Sequence, residues 1–271
     1  IGEITKFDTT DYKVKIAAEV KGFVAKERMD FKASRRMEPF SQYAVAAAKE
    51  AYEDAGLDIS KEDPYRAGVI IGSGIGSLQE VEKDYEKIMT KGPSKVNPLM
   101  VPLMISNMAA GNVSIQLGFK GKCTNVVTAC ATGTNCIGDA LRAIQYGDAD
   151  IIAAGGTESC ICPTGVAGFT SLTALSASTD PLRASIPFDK DRDGFVLGEG
   201  AGGDPGGTGA RKGKRSKDLC RACGIRATGD ATTLHLLQKT AAARPKRWSL
   251  PMEEGGIEPS SGRLYQCTRH Q

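Results

Sequence analysis

One cysteine stands where an enzyme could use a nucleophile, at the end of an apolar β-branched run and before a helical pattern. The run reads Asn-Val-Val-Thr-Ala over residues 125–129, Cys130 follows it, and residues 137–144 are apolar at helical spacing. A cysteine in a strand-to-helix turn lies near unpaired amides and the positive end of the helix dipole, which favour a thiolate. The same amides could hold an oxyanion. Cys130 is therefore a candidate nucleophile, and its rival interpretation is a buried structural cysteine.

The elements that must hold this turn are predicted by the apolar spacing on both sides of it. The helical pattern stops at Gly147, and residues 151–154 predict a second strand after it. Residues 67–71 predict a buried strand upstream, and the alternating residues 14–20 predict a further strand. We therefore expect an α/β fold in which strands alternate with helices.

Two more apolar segments lie upstream of the turn. Apolar residues between positions 44 and 55 predict an amphipathic helix that begins at Ser41 and ends at Gly56. Residues 98–108 are dense in Met, Leu and Ile, for which core packing is the default interpretation.

Three motifs are typical of cofactor or metal sites, and each departs from the required pattern. The glycine-rich residues 72–76 lack the third glycine of a dinucleotide motif, because Ser77 takes its place, so a tight strand exit is expected. The aspartates of residues 189–193 lack the glutamate that closes a calcium loop, where Gly200 stands. A third group has no standard zinc spacing, and its members are Cys220, Cys223, His235 and His270. No metal and no cofactor are expected.

Composition bounds the class of protein. The chain has 271 residues, of which 41% are hydrophobic, enough for one large α/β domain or two small ones. It has no apolar run of membrane-spanning length, and its first residues show no signal-peptide pattern. We expect a soluble cytoplasmic protein whose eight cysteines are reduced thiols.

The net charge of +3 conceals an uneven distribution along the chain. Residues 203–271 carry 13 Lys and Arg against 6 Asp and Glu, whereas residues 1–202 are net negative. A basic tail usually indicates nucleic acid or an acidic partner, but this one has no amphipathic period.

The motif Thr-Ala-Cys-Ala-Thr-Gly at residues 128–133 resembles the active-site cysteine motif of the β-ketoacyl-[acyl-carrier-protein] synthases, the condensing enzymes of fatty acid synthesis. Other stretches resemble the same family in the same order: residues 7–8, 71–76, 107–111, 146–150, 154–158 and 187–202. The resemblance covers residues 1–202 and looks closest to synthase II of this family.

This resemblance implies a thiolase-like fold, layered α-β-α-β-α, of which the chain supplies the N-terminal half. Residues 1–202 would form that domain without the family's first strand and helix. The resemblance further implies that Cys130 takes an acyl group from acyl carrier protein as a thioester. Malonyl-acyl carrier protein then loses carbon dioxide, and its carbanion attacks the thioester, so that the fatty acid grows by two carbons.

The resemblance also implies substrate-binding residues and partners. Ile105 matches the gating position of the acyl pocket, Ala129 precedes the nucleophile, and Phe169 matches an aromatic residue that lies along the acyl chain. The expected partners are acyl carrier protein and a second copy of the chain. The second copy would pair with the strand at residues 122–128 across a two-fold axis. Nucleic acid and membranes are not expected partners.

Condensing enzymes of this family use two histidines and a lysine beside the cysteine. Neither His235 nor His270 lies in the family's histidine motifs, so the chain is expected to be inactive in condensation. Residues 203–271 are expected to be an out-of-frame, disordered tail with short in-frame islands. Codons for residues 262–270 can be chosen so that a one-base shift reads Val-Asp-Tyr-Ile-Asn-Ala-His-Gly-Thr, the family's first histidine motif. Residues 203–223 and 232–240 shift in the same way into family sequence.

Two alternatives remain open from the sequence. One is a non-catalytic fragment whose basic tail binds a polyanion or another partner, for which salt-dependent binding would be evidence. The other is a polyketide-type ketosynthase that uses the same residues on other acyl chains.

Overall fold

The structure is a computed structural model, and it describes residues 1–204. The strands are β1 (Gly2–Glu3), β2 (Ile16–Ala17), β3 (Ala67–Gly72), β4 (Cys123–Thr124), β5 (Ile151–Glu158) and β6 (Gly200–Asp204). The helices are α1 (Ala25–Arg28), α2 (Phe31–Ser34), α3 (Pro39–Asp54), α4 (Leu78–Lys91), α5 (Met100–Met104), α6 (Met108–Leu117), α7 (Thr132–Gln145) and α8 (Pro163–Ser171).

Four strands form the main sheet in the order β4-β3-β5-β6. Strands β4, β3 and β5 are parallel, and β6 runs antiparallel to β5. The register sets Gly72 of β3 opposite Gly156 of β5, two residues before β5 ends at Glu158. Because carboxyl ends of parallel strands share one edge of a sheet, the segments that follow β3, β4 and β5 meet there.

Helices cover both faces of this sheet, which explains why its strands are apolar without alternation. Val69, Ile71 and Ala153 pack with α3 and α6 on one face. Ile70 and Ile152 alternate with them and pack against α7 on the other. The described chain is therefore a three-layer α/β/α unit.

A separate apolar cluster lies beyond the sheet and joins segments distant in sequence. It combines Ile161, Val166 of α8, Leu175 and Leu197 with Val14 from the N-terminal hairpin. The cluster fixes α8 and the long segment between α8 and β6 in place.

The predicted strands at residues 67–71 and 151–154 are confirmed as β3 and β5, and the predicted helix after Cys130 is α7. The predicted strand at residues 14–20 is confirmed only over Ile16–Ala17. Two boundaries were wrong. The helix assigned to start at Ser41 starts at Pro39, whose fixed φ suits the first helical position, and Ser41 is buried in its first turn. Residues 125–128 form no strand, because within the described part of the chain β4 lies at the edge of the sheet and has β3 as its single partner.

The segment at residues 98–108 also differs from expectation. Core packing holds for Leu103, which is 7% exposed, but Leu99, Val101 and Ile105 are 42%, 62% and 43% exposed. This part of the chain therefore presents apolar side chains at the surface.

Within residues 1–204, no helix is long and apolar enough to cross a membrane. The expected disordered, out-of-frame tail lies outside the described residues except for its first two residues. The four Cys and His residues considered as zinc ligands all lie outside them.

Candidate active site

Cys130 lies in a tight turn between β4 and α7, as the sequence predicted. A short 3-10 turn spans Ala129–Ala131, and α7 starts at Thr132. Ala129 has a φ of +51°, a left-handed conformation that costs a non-glycine residue about 1–2 kcal/mol. Strained backbone of this kind persists only where its surroundings hold it, and it is common beside reactive groups. The turn presents Cys130 as an exposed residue.

Helix α7 offers its first amides to this turn. It has 14 residues, and among residues 1–204 no side chain caps its N-terminus. The N–H of Thr132 is used within the turn, where it donates to the Ala129 carbonyl. Uncapped first-turn amides carry the positive end of the helix dipole, so they can hold an oxyanion that forms on a substrate at Cys130.

The other four described thiols are in surroundings that disfavour a thiolate. Burial raises the pKa of Cys160 to about 12 and that of Cys162 to about 11. Desolvation also raises the pKa of the buried Cys136 and that of Cys123, which is exposed as a residue. Cys130 itself is exposed, so the rival interpretation of it as a buried cysteine is wrong.

The loop at residues 72–76 lies directly beside the strained turn. A Cβ built on Gly74 would lie 3.9 Å from both the Cα and the carbonyl oxygen of Ala129. A Cβ on Gly72 would lie less than 3.0 Å from the Val126 carbonyl oxygen and the Thr132 methyl group. The expected tight strand exit is confirmed, and the loop also forms one wall of the candidate site.

The same loop connects the turn to the other predicted site residues. Gly76, with a φ of +77°, lies against the backbone of Met104 and Ser106, which flank Ile105. Ile75 packs on the apolar cluster beyond the sheet, against which Phe169 also packs. The structure thus gathers the neighbours of Ile105, Ala129 and Phe169 around one loop.

Phe169 and Ile105 differ in how firmly they are held. Phe169 is half-buried on α8, and its ring makes an edge-to-face contact with Phe195 at 5.6 Å between centroids. Ile105 follows the last residue of α5 and is 43% exposed. The Phe169 ring is therefore held in place by Phe195, whereas the exposed Ile105 side chain has less around it to restrain it.

Glu158, at the end of β5, holds the loop from the opposite side. Its carboxylate accepts hydrogen bonds from the Ser73 hydroxyl and from the Gly74 N–H, both at 2.9 Å. The Ser73 hydroxyl in turn accepts one from the Gly76 N–H at 2.9 Å. Burial raises the pKa of Glu158, and the hydrogen bonds from Ser73 and the loop amides partly oppose that rise.

Asn125 links the same loop to the start of the α6 segment. Its side-chain oxygen accepts a hydrogen bond from the Ser73 N–H at 3.3 Å, and its amide group donates to the Ser106 hydroxyl at 2.9 Å. Sequence reasoning missed Ser73, Asn125 and Glu158 as supports of the site. Their only sequence signal is position, since each lies at or just beyond the carboxyl end of a sheet strand.

No group of three or more acidic, His or Cys side chains within residues 1–204 could hold a metal ion. The aspartates at residues 189–193 are used in backbone hydrogen bonds instead. Asp189 accepts from the Asp191 N–H, and Asp193 accepts from the Ala177 N–H, both at 3.0 Å.

Comparison with known proteins agrees with this geometry. Residues 1–203 match the model of the β-ketoacyl synthase N-terminal domain. The chain belongs to the β-ketoacyl synthase family. The family resemblance read from the cysteine motif is thereby confirmed.

Relatives and solved structures extend the match. This β-ketoacyl synthase chain is 50% identical over 202 residues to 3-oxoacyl-[acyl-carrier-protein] synthase 2 of Staphylococcus aureus, which covers 74% of this chain and 50% of that protein. It is 49% identical over 203 residues to the synthase 2 of Vibrio cholerae, with 74% and 49% covered. The chain thus spans about half the length of the curated relatives it matches.

Two solved structures show the same fold. A β-ketoacyl synthase from Burkholderia phymatum aligns with a TM-score of 0.73 at 29% identity, covering 90% of this chain and 60% of that one. A type II polyketide ketosynthase solved with its acyl-carrier protein aligns with a TM-score of 0.79 at 26% identity, covering 94% and 63%. The expected thiolase-like α/β fold is confirmed.

Proposed function

We propose that Cys130 is the acyl-accepting nucleophile of a decarboxylative condensation. The main support is that Cys130 is exposed on a strained turn at the uncapped start of α7. The other described thiols have raised pKa values. The Cys130 thiolate attacks the carbonyl of an acyl-carrier thioester, a new thioester forms, and the carrier leaves as a thiol. Carbon dioxide then leaves malonyl-carrier protein, and its carbanion attacks the Cys130 thioester. The β-ketoacyl product stays on the carrier, two carbons longer, and the Cys130 thiolate is released.

The proposed substrate-binding residues are Ile105, Ala129 and Phe169. Ala129 lies next to the thioester, Phe169 offers a fixed aromatic wall, and the weakly packed Ile105 can yield to an acyl chain. The support for this arrangement is the loop at residues 72–76, which contacts the neighbours of all three.

Acyl carrier protein is the proposed partner, in the cytoplasm, and a basic surface near the site supports it. Helix α2 and the two residues after it present exposed Lys32, Arg35 and Arg36 beside Phe31, which is 58% exposed. The chain runs from this surface into α3, whose Phe40 carbonyl accepts a hydrogen bond from the hydroxyl of Thr157 near the carboxyl end of β5 at 2.6 Å. A carrier that brings a phosphopantetheine phosphate would be attracted to such charges.

A homodimer is the second proposed association. Strand β4 is the outermost strand of the described sheet next to β3, both of its residues are exposed, and Val127 just beyond it is 53% exposed. An exposed apolar edge readily pairs with a second chain. Two copies related by a two-fold axis would join their sheets at this edge.

Residues 203–271 are proposed to be an out-of-frame translation of the synthase's continuation. The family match ends at residue 203, where the basic composition begins, and both histidines of the chain lie beyond it. In this proposal the family's histidine motifs are encoded in the neighbouring frame. The present polypeptide can then be acylated at Cys130 but cannot carry out the condensation step. The DNA beneath these residues decides it, since codons that yield no family sequence in any shifted frame contradict the proposal.

Transfer from acyl carrier protein tests the proposed nucleophile. The chain is incubated with acyl-carrier protein, and acylated peptides are identified by mass spectrometry. We expect acylation at Cys130 that Cys130→Ala abolishes and Cys123→Ala preserves. Acylation that survives Cys130→Ala, or none on a chain whose Cys136 is still protected from alkylation, contradicts the proposed function.

A further inference from the structure

The two ends of the nucleophile's turn are tied together by one side chain. The hydroxyl oxygen of Thr132 accepts a hydrogen bond from the backbone N–H of Thr128 at 2.9 Å. The N–H of Thr132 donates to the Ala129 carbonyl oxygen. These two bonds span the residue pair that holds the strain and the thiol, Ala129 and Cys130.

Thr132 is itself firmly fixed. It is 5% exposed, and its methyl group lies against Gly72, where a Cβ would come within 3.0 Å of it. A side chain anchored in this way can hold a backbone conformation that its neighbours alone would not keep. A threonine at an N-cap bonds to the amides that follow it, whereas Thr132, the first helical residue of α7, reaches back across the turn.

We infer that Thr132 is a positioning residue for Cys130: its hydroxyl holds Ala129 in the left-handed conformation that presents the thiol at the start of α7. The inference rests on the proposed function, because it concerns the same nucleophile. Without the hydroxyl, the Thr128 N–H loses its partner and the turn relaxes toward ordinary backbone angles. The Cys130 sulfur then moves away from the first amides of α7, and its rate of attack on an electrophile falls.

Matched substitutions separate the hydroxyl from the methyl group. Thr132→Val keeps the shape and the contact with Gly72 but removes the acceptor, and Thr132→Ser keeps the acceptor but removes the methyl group. The measured quantity is the rate of Cys130 alkylation by iodoacetamide in the full chain, divided by that of Cys123 in the same molecule. Protection of the buried Cys136 shows that each variant is folded.

We expect Thr132→Val to lower this ratio about tenfold, equivalent to roughly 1.4 kcal/mol, and Thr132→Ser to restore it to within about twofold of the parent. Thr132→Ala, which cannot crowd Gly72, is measured beside them and should show the same loss as the valine variant. An unchanged ratio in a folded Thr132→Val or Thr132→Ala chain overturns the inference, as does an equal loss in Thr132→Ser.

A second comparison tests the link to strain. Glycine adopts a positive φ without cost, so in an Ala129→Gly background the turn no longer needs to be held. We expect Thr132→Val to change the ratio by less than about threefold there, because the two positions act on one conformation. A full tenfold loss in that background overturns the inference.

The outcomes also distinguish this inference from the proposed function. Absence of acyl transfer to Cys130 of the parent chain, together with the expected alkylation ratios, rejects the proposed function and leaves the positioning role standing. Normal acyl transfer to the parent with unchanged ratios in the variants rejects the positioning role alone.

Discussion

Gly156 of β5 lies directly beneath Gly133 in the first turn of α7. A Cβ on Gly156 would be 3.0 Å from the Gly133 Cα and 3.3 Å from its nitrogen, closer than side chains normally pack. A Cβ on Gly133 would instead make ordinary contacts with Gly156 at 3.5 and 3.6 Å. The start of the nucleophile's helix therefore rests on the sheet through two glycines whose tolerance of a methyl group differs.

This asymmetry predicts opposite results for two alanine substitutions at one contact. Gly156→Ala should lower the free energy of unfolding by about 1–3 kcal/mol, because it pushes α7 off the sheet. Gly133→Ala should be neutral or stabilising by about 0.5–1 kcal/mol, since alanine is the better helix former. Urea unfolding of both variants measures this, and equal losses would show that the helix does not sit as described.

Glu158 predicts a pH dependence of stability. Burial raises its pKa above the ordinary 4.5, so the folded state binds this proton more tightly than the unfolded state. Its contribution to stability is therefore complete below pH 4.5 and is lost as the pH rises through the folded-state value. Glu158→Gln cannot titrate at this position. The parent should therefore lose stability relative to the variant as the pH rises from 4.5 to 8.

Asp84 provides the matched control of opposite sign. The hydrogen bond from Lys87 lowers the pKa of Asp84, helped by the Asn97 N–H. Stability from this group is present above its ordinary pKa and is lost as the pH falls. Chemical unfolding should show the Asp84→Asn difference changing as the pH falls toward and below 3.8, where the parent loses stability, and the Glu158→Gln difference changing above pH 4.5, where the parent loses stability as the pH rises. The same direction of change with pH in both pairs would refute the assignment.

If acyl carrier protein docks on the basic surface at α2, reversing its charge should slow acylation by the carrier selectively. Arg35→Glu combined with Arg36→Glu should slow acyl transfer to Cys130 from acyl carrier protein by about tenfold or more at low salt. Alkylation of Cys130 by iodoacetamide should stay unchanged, because the thiol itself is untouched. Lys13→Glu, which reverses an exposed charge in the hairpin between β1 and β2, is the control and should transfer normally. Equal slowing by the control would remove the case for docking at α2.

The edge strand β4 predicts the association state of the complete enzyme. Val127→Asp in a frame-repaired synthase should shift it from dimer to monomer in sedimentation velocity, because the charge would be buried against the second copy. Leu182→Asp, at a residue that is 89% exposed, should leave the dimer intact. A dimer that persists with Val127→Asp would show that β4 is not the pairing edge.

The sequence predicted the elements whose apolar spacing is determined by local burial. The prediction was correct for β3, β5 and α7, because burial against neighbouring elements gives each of them an apolar run or an apolar repeat at helical spacing. The position of the turn at Cys130 follows from these elements. The start of α3 was misplaced because a serine is a common cap, while Pro39 decided the boundary. Strand β4 was overextended because β-branched residues indicate a strand whether or not a partner pairs with it.

The supports of the site were beyond such reasoning. Nothing local distinguishes Glu158 or Ser73 from other polar residues at strand ends, and their contact depends on the register of β3 with β5. The exposure of Ile105 could not be foreseen either, since a Met-rich and Leu-rich segment normally packs in a core. The contact of Glu158 with Ser73 and the exposure of Ile105 both depend on how distant segments pack in the folded protein.

Competition among the thiols tests the central claim most directly. The folded chain is treated with a limiting amount of iodoacetamide, and each cysteine is quantified by mass spectrometry over time. Cys130 should be alkylated first, Cys123 more slowly, and Cys136, Cys160 and Cys162 last, because burial raises the pKa of those three and hides them from the reagent. Alkylation of Cys123 or Cys160 ahead of Cys130 would contradict the assignment of Cys130 as the nucleophile.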